Sequence, residues 1–140
     1  MMDIHKHIDI YCERGDPTFW AEPINAVTNA AFIIASIMLF VLAKKRNILY
    51  PSMIWLASLV AIIGVGSFLF HTFANTWSKF ADVLPIMVFK VSFIVIYARS
   101  VIGLRAIGLS VLLAIFVGLC LIAGSMPYDW LNGSLGIVVR

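Results

Sequence analysis

Charge is scarce in these 140 residues: 12% are Asp, Glu, Lys or Arg, against 62% hydrophobic. With a mean hydropathy of +1.01, that balance excludes an ordinary soluble domain, which carries about 25% charged residues, and leaves an integral membrane protein. Cysteine is scarce too. Cys12 sits in the polar N-terminal stretch and Cys120 in an apolar run, and two thiols so differently placed make no disulfide framework. The first twenty residues lack the apolar core of a cleavable signal peptide and hold Asp3, Asp9, Glu13 and Asp16 instead, so the first span is expected to do the targeting. Repeats, low-complexity tracts and linkers are missing, which points to one domain over residues 1–140. The net charge of +3 gives no support for a nucleic-acid partner, because the basic residues cluster beside hydrophobic segments, where topology accounts for them.

What the chain has in abundance is long apolar runs. Four of them, at about 24–43, 52–74, 81–98 and 106–126, reach or approach the roughly 20 residues that cross a bilayer. A fifth starts near Leu131 and stops at Arg140 after about nine residues, too short to cross alone, so the chain reads as cut. The expected fold is all-α, a multi-pass transmembrane helix bundle of four spans plus the start of a fifth. Lys44, Lys45 and Arg46 follow the first span, and Arg99 and Arg105 flank the third turn, which marks those sides as cytoplasmic. The polar segment 1–20, the 75–80 turn and the 127–130 loop are then non-cytoplasmic. Asp3, Asp9, Glu13, Asp16, Glu22, Asp82 and Asp129, all the acidic residues, fall on that same side. Carboxylates contribute little to topology. Their grouping suits either helix capping or metal and proton chemistry at one membrane face.

In "GVGSFLFHTFANTWSKFAD", residues 64–82, Ser67 and His71 are four apart and share a helix face, with Gly64 three residues before the serine. Asp82 follows a short turn, and an antiparallel helix pair brings it back beside His71. The plain reading keeps His71 as an interfacial residue, Ser67 bonded to a carbonyl one turn back, and Asp82 as an N-cap with Pro85 in the first turn. The chemical readings are a nucleophilic triad or a zinc site with Asp82 as general base and Ser67 as oxyanion donor. A catalytic zinc wants more than one protein ligand, and His5 and His7, spaced i,i+2 in a polar tail, are no standard helical pair.

A second cluster lies in "IYCERGDPTFWAEPINAVTN", residues 10–29. Glu22, Asn25 and Asn29 form one polar stripe on the opening turns of the first helix, with Glu13 and Asp16 in the loop before it. Carboxylate and amide oxygens suit a hard cation such as calcium; they also suit capping and interhelical hydrogen bonds. Lys90 lies mid-span, about 12 Å along the axis from Asp82 and off its face, where a lysine is a functional candidate by default.

"YCER", "FWAEPINAVTN", "GVGSFLFH" and "ADVLP" together resemble the alkaline ceramidase family, membrane hydrolases related to adiponectin-type receptors. The resemblance covers the whole chain and corresponds to roughly the first half of a seven-helix architecture. It implies zinc-dependent cleavage of the amide of ceramide-type lipids, with His71 as a zinc ligand, Ser67 and Asp82 as catalytic residues, and calcium held by Tyr11, Glu13 and Glu22. Ile10 and Gly15 depart from the family's calcium pattern, Asp9 stands one place off and Asp16 is a substitute donor. The family's remaining zinc ligands, a histidine pair on its last helix, have no counterpart in this chain. A second polypeptide or missing C-terminal helices would then complete the bundle around a membrane lipid substrate. The competing readings are a non-catalytic fragment or lipid-binding receptor-like bundle, and a proton or ion carrier using Asp82 and Lys90.

Overall fold

The computed structural model describes residues 3–9 and 11–125. It contains α1 (Pro23–Thr28), α2 (Ala30–Lys45), α3 (Pro51–Phe73), α4 (Thr76–Ser100) and α5 (Ala106–Ser125), with no strand among the described residues. Four spans are long and apolar enough to cross a membrane: Pro23–Lys45, Pro51–Phe73, Thr76–Ser100 and Ala106–Ala123. The protein is an all-α, multi-pass membrane bundle. Ile10, Asp129, the 127–130 loop and the apolar segment from Leu131 lie outside the described residues.

Local chemistry sets the element ends. Pro23 and Pro51 open α1 and α3, where a fixed φ and a missing N–H cost nothing. α1 and α2 run on as one span, because Asn29 between them keeps helical dihedrals of −65° and −16°. The C-terminus of α2 closes in a Schellman turn: Asn47 takes φ 55°, and Ile48 N donates to Ala43 O at 3.0 Å.

The third span starts earlier than the sequence pattern predicts. Ser78 N donates to Asn75 Oδ1 and Asn75 N donates to Ser78 Oγ, both at 3.1 Å, so a reciprocal cap starts α4 at Thr76. Asp82 is therefore an interior residue of α4 and caps nothing, and Pro85 is likewise inside the helix.

The chain gathers into two compact units, Met1–Phe93 and Ile94–Arg140. The second holds the end of α4 and α5, with Leu104 N bonded to Ala98 O in the turn between them. Every group discussed below belongs to the first. There, large apolar side chains such as Ile34, Met38 and Leu84 point outward, while Ser36, Ser67, His71 and Asp82 are buried. That is the polarity expected where lipid is the solvent and polar groups are satisfied inside the bundle. Ser36 Oγ bonds Ala57 O across the α2–α3 contact at 2.7 Å.

Candidate active site

α3 is the central element, and its GVGS run lets helices approach from two sides. A Cβ on Gly64 would lie 3.0 Å from Phe32 Cβ and 3.2 Å from Asn29 O, on the α1–α2 side. Two residues on, about 200° around the helix, a Cβ on Gly66 would lie 2.1 Å from Ala81 O and 2.8 Å from its carbonyl carbon. α4 can come this close for a second reason. Pro85 has no N–H to give to the carbonyl four residues back, so Ala81 O is free of its helical bond and turns toward the glycine.

That contact sets the spacing of the two residues beside it, Ser67 on α3 and Asp82 on α4. Gly66→Ala is expected to destabilise the bundle by about 3 kcal/mol, the upper end for overpacking, because the obstruction is backbone and cannot rotate away. Gly64→Ala meets its neighbours only at 3.0 Å and beyond, a few tenths of an ångström too close rather than a full overlap, and is expected to cost less than half as much. Thermal unfolding of both variants in micelles makes the comparison.

Asp82 is buried to 9% exposure, and its Oδ1 has no hydrogen-bond partner among the described residues. Ser67 and His71 on α3 are the polar side chains beside this carboxylate. The serine, histidine and aspartate singled out in the sequence therefore share one buried location at the α3–α4 end of the first unit. The N-terminal segment lies across it. Ile8 N donates to Ala74 O at 2.7 Å, Thr76 N to Lys6 O at 3.2 Å and Trp77 N to Ile4 O at 3.1 Å. Ala74 between the helices takes φ 43°, a left-handed conformation unusual for alanine, and these bonds hold it there. Past this crossing, the Tyr11 ring lies 4.8 Å from the His71 ring, centroid to centroid. Burial pushes the Tyr11 phenol above its ordinary range, and the negative charges of Asp82 and Glu22 push it further. The phenol is neutral throughout the physiological range.

Glu22 joins the same site. Only 2% exposed, it receives Arg14 Nε on Oε1 at 2.5 Å and meets His71 Nδ1 with Oε2 at 2.5 Å. A carboxylate can only accept, so Nδ1 carries a proton, and in the neutral ring Nε2 is then the nitrogen with the lone pair. Asn25 Nδ2 adds a longer bond to Oε2, at 3.4 Å. The other members of the N-terminal cluster serve the backbone. Glu13 caps α1, taking Ile24 N at 2.7 Å and Asn25 N at 3.0 Å on its two oxygens; the Tyr11 carbonyl accepts from Arg14 N at 3.1 Å; Asp16 accepts from the Thr18 N–H and hydroxyl, which hold its carboxyl below the ordinary range.

These contacts bear on the two metals implied by resemblance. The zinc-facing residues fit as one side of a site: His71 is oriented by a carboxylate, the arrangement that histidine ligands commonly have, and Asp82 Oδ1 is buried without a partner. No group of three His, Cys, Asp or Glu placed to hold a metal occurs among the described residues, and His5 and His7 are exposed on the N-terminal segment. The calcium residues do not fit an added cation in this arrangement, because the oxygens of Glu13 are taken by the Ile24 and Asn25 N–H groups and those of Glu22 by Arg14 and His71. Lys90 stands apart from both sets, on an apolar groove with Phe32, Val60 and Phe89.

Sequence reasoning passed over Arg14 and Gly66. The signals were present: a basic residue set among Glu13, Asp16 and Glu22, and two glycines spaced so that each faces a different neighbour.

A family model described as Ceramidase matches residues 11–129. No curated protein and no solved structure matches the chain.

Proposed function

The chain belongs to the ceramidase family, and from that premise we propose that it carries the His71, Ser67 and Asp82 side of a membrane site that hydrolyses the amide of ceramide-type lipids to a fatty acid and a sphingoid base. The observation that carries the reading is the shared burial of those three residues around an unpartnered carboxylate oxygen. A buried carboxylate with one oxygen open is arranged to hold and take the proton of an attacking water. Ser67, a buried hydroxyl beside that carboxylate, suits the oxygen on which charge develops as the amide carbon becomes tetrahedral. Tyr11, neutral and against His71, keeps bulk water from that end of the site. Zinc, when bound at His71 with donors from outside the described residues, supplies Lewis-acid polarisation of the carbonyl and a more acidic water. Glu22 fixes the His71 ring so that Nε2 is the nitrogen available to it.

Metal analysis of the purified full chain, run beside hydrolysis of a labelled ceramide by membranes that carry it, tests the reading. Zinc at about one per chain, lost together with product release in His71→Ala, supports the reading. Zinc unchanged in His71→Ala would remove the histidine from the site, and a chain with neither zinc nor product release would be a non-catalytic lipid-binding bundle.

A further inference from the structure

The Arg14 guanidinium makes four hydrogen bonds, and neither the proposed hydrolysis nor the calcium expectation uses it. Its side chain is 1% exposed. Nε donates to Glu22 Oε1 at 2.5 Å, Nη1 to the carbonyls of Asp16 and Thr18 at 3.4 Å each, and Nη2 to the carbonyl of His71 at 3.0 Å. One carboxylate oxygen and three backbone carbonyls around a single positive charge form the donor set that a hard cation takes. Here a planar guanidinium fills it, with hydrogen bonds directed at separate oxygens. A calcium ion in the same shell would sit against a buried positive charge and would have to displace bonds already made.

We propose that Arg14 is the resident cation of this site, taking the place of a dissociable calcium ion. It ties the loop 14–18 and Glu22 to the last turn of α3, where the His71 carbonyl belongs to the negative end of the helix. Because Glu22 is also the partner of His71 Nδ1, Arg14 is a positioning residue for the histidine, and that position does not depend on calcium. The proposal stands on the contacts of the N-terminal segment and is read by stability, so its failure is separate from any failure of hydrolysis.

The test is thermal unfolding of the full chain in micelles, with calcium added and never chelated, since calcium chelators also strip zinc. Millimolar calcium is expected to move the native midpoint by no more than about 1 °C, the result for a chain without a calcium site. Arg14→Ala is expected to lower the midpoint by roughly 10 °C, and methylguanidinium or calcium to restore at least a third of that loss by entering the vacated shell. Failure of both cations to restore it, or an unchanged midpoint in Arg14→Ala, overturns the proposal. If the alanine variant does not fold, calcium titration calorimetry of the native chain decides: saturable binding that disappears in Glu22→Gln overturns it, and absence of binding supports it.

Discussion

Asp82→Asn is expected to cut release of sphingoid base by roughly 10²–10⁴-fold, the range for loss of a general base, while leaving the protein as stable as before or more so. The two effects have one origin. Asp82 is buried in a membrane span with Oδ1 unpartnered among the described residues, and a buried charged group with an open valence costs about 1–3 kcal/mol or more. Asparagine keeps the shape and removes the charge. It also removes the basicity with which the carboxylate takes a proton, so stability and activity move in opposite directions. Product release from membranes and unfolding in micelles are measured on the same preparation. A variant that melts lower than the native protein and keeps its activity would make Asp82 a structural residue.

Glu22 is the position where substitution is expected to cost most in stability. Glu22→Ala leaves the Arg14 guanidinium, 1% exposed, without its carboxylate, and breaking a buried pair by removing one partner costs about 3–5 kcal/mol. Glu22→Gln separates the structural role from the chemical one. The glutamine oxygen can accept from Arg14 Nε, so much of the tie is kept. Its amide N–H then faces His71 Nδ1, which must become the acceptor, and the ring proton moves to Nε2. The expected result is a chain that folds with a loss of under about 2 kcal/mol but binds zinc at least 10-fold more weakly, because second-shell partners of metal histidines are worth 10–100-fold. Equal zinc affinity in native and Glu22→Gln protein would show that the Glu22–His71 bond only packs the loop. Zinc titration followed by protein fluorescence measures it.

The spans were legible in the sequence because hydrophobic run length is a local property. α3 over Pro51–Phe73 departs by one residue at each end from the expected 52–74. The third span departs by five, since its start is fixed by the Asn75–Ser78 cap and a run of apolar residues does not register a cap. The 64–82 hairpin was also legible: helical periodicity stacks Ser67 on His71, and a short turn returns α4 at matching depth. The N-terminal cluster was harder to read. Its acidic residues look alike in sequence, yet Glu13 caps a helix, Asp16 closes a turn and Glu22 is buried between Arg14 and His71.

Sequence alone therefore determined that this is a multi-pass helical membrane protein and which hairpin carries its histidine, serine and aspartate. It could do so because span length and the 3.6-residue period act between neighbours in the chain. Tertiary structure alone decided that Glu22, 49 residues before His71, holds the histidine ring, that Arg14 fills a cation's place 57 residues before the carbonyl it binds, and that Gly66 admits Ala81. Each depends on segments meeting only after the spans have packed and the N-terminal strand of chain has crossed the α3–α4 turn.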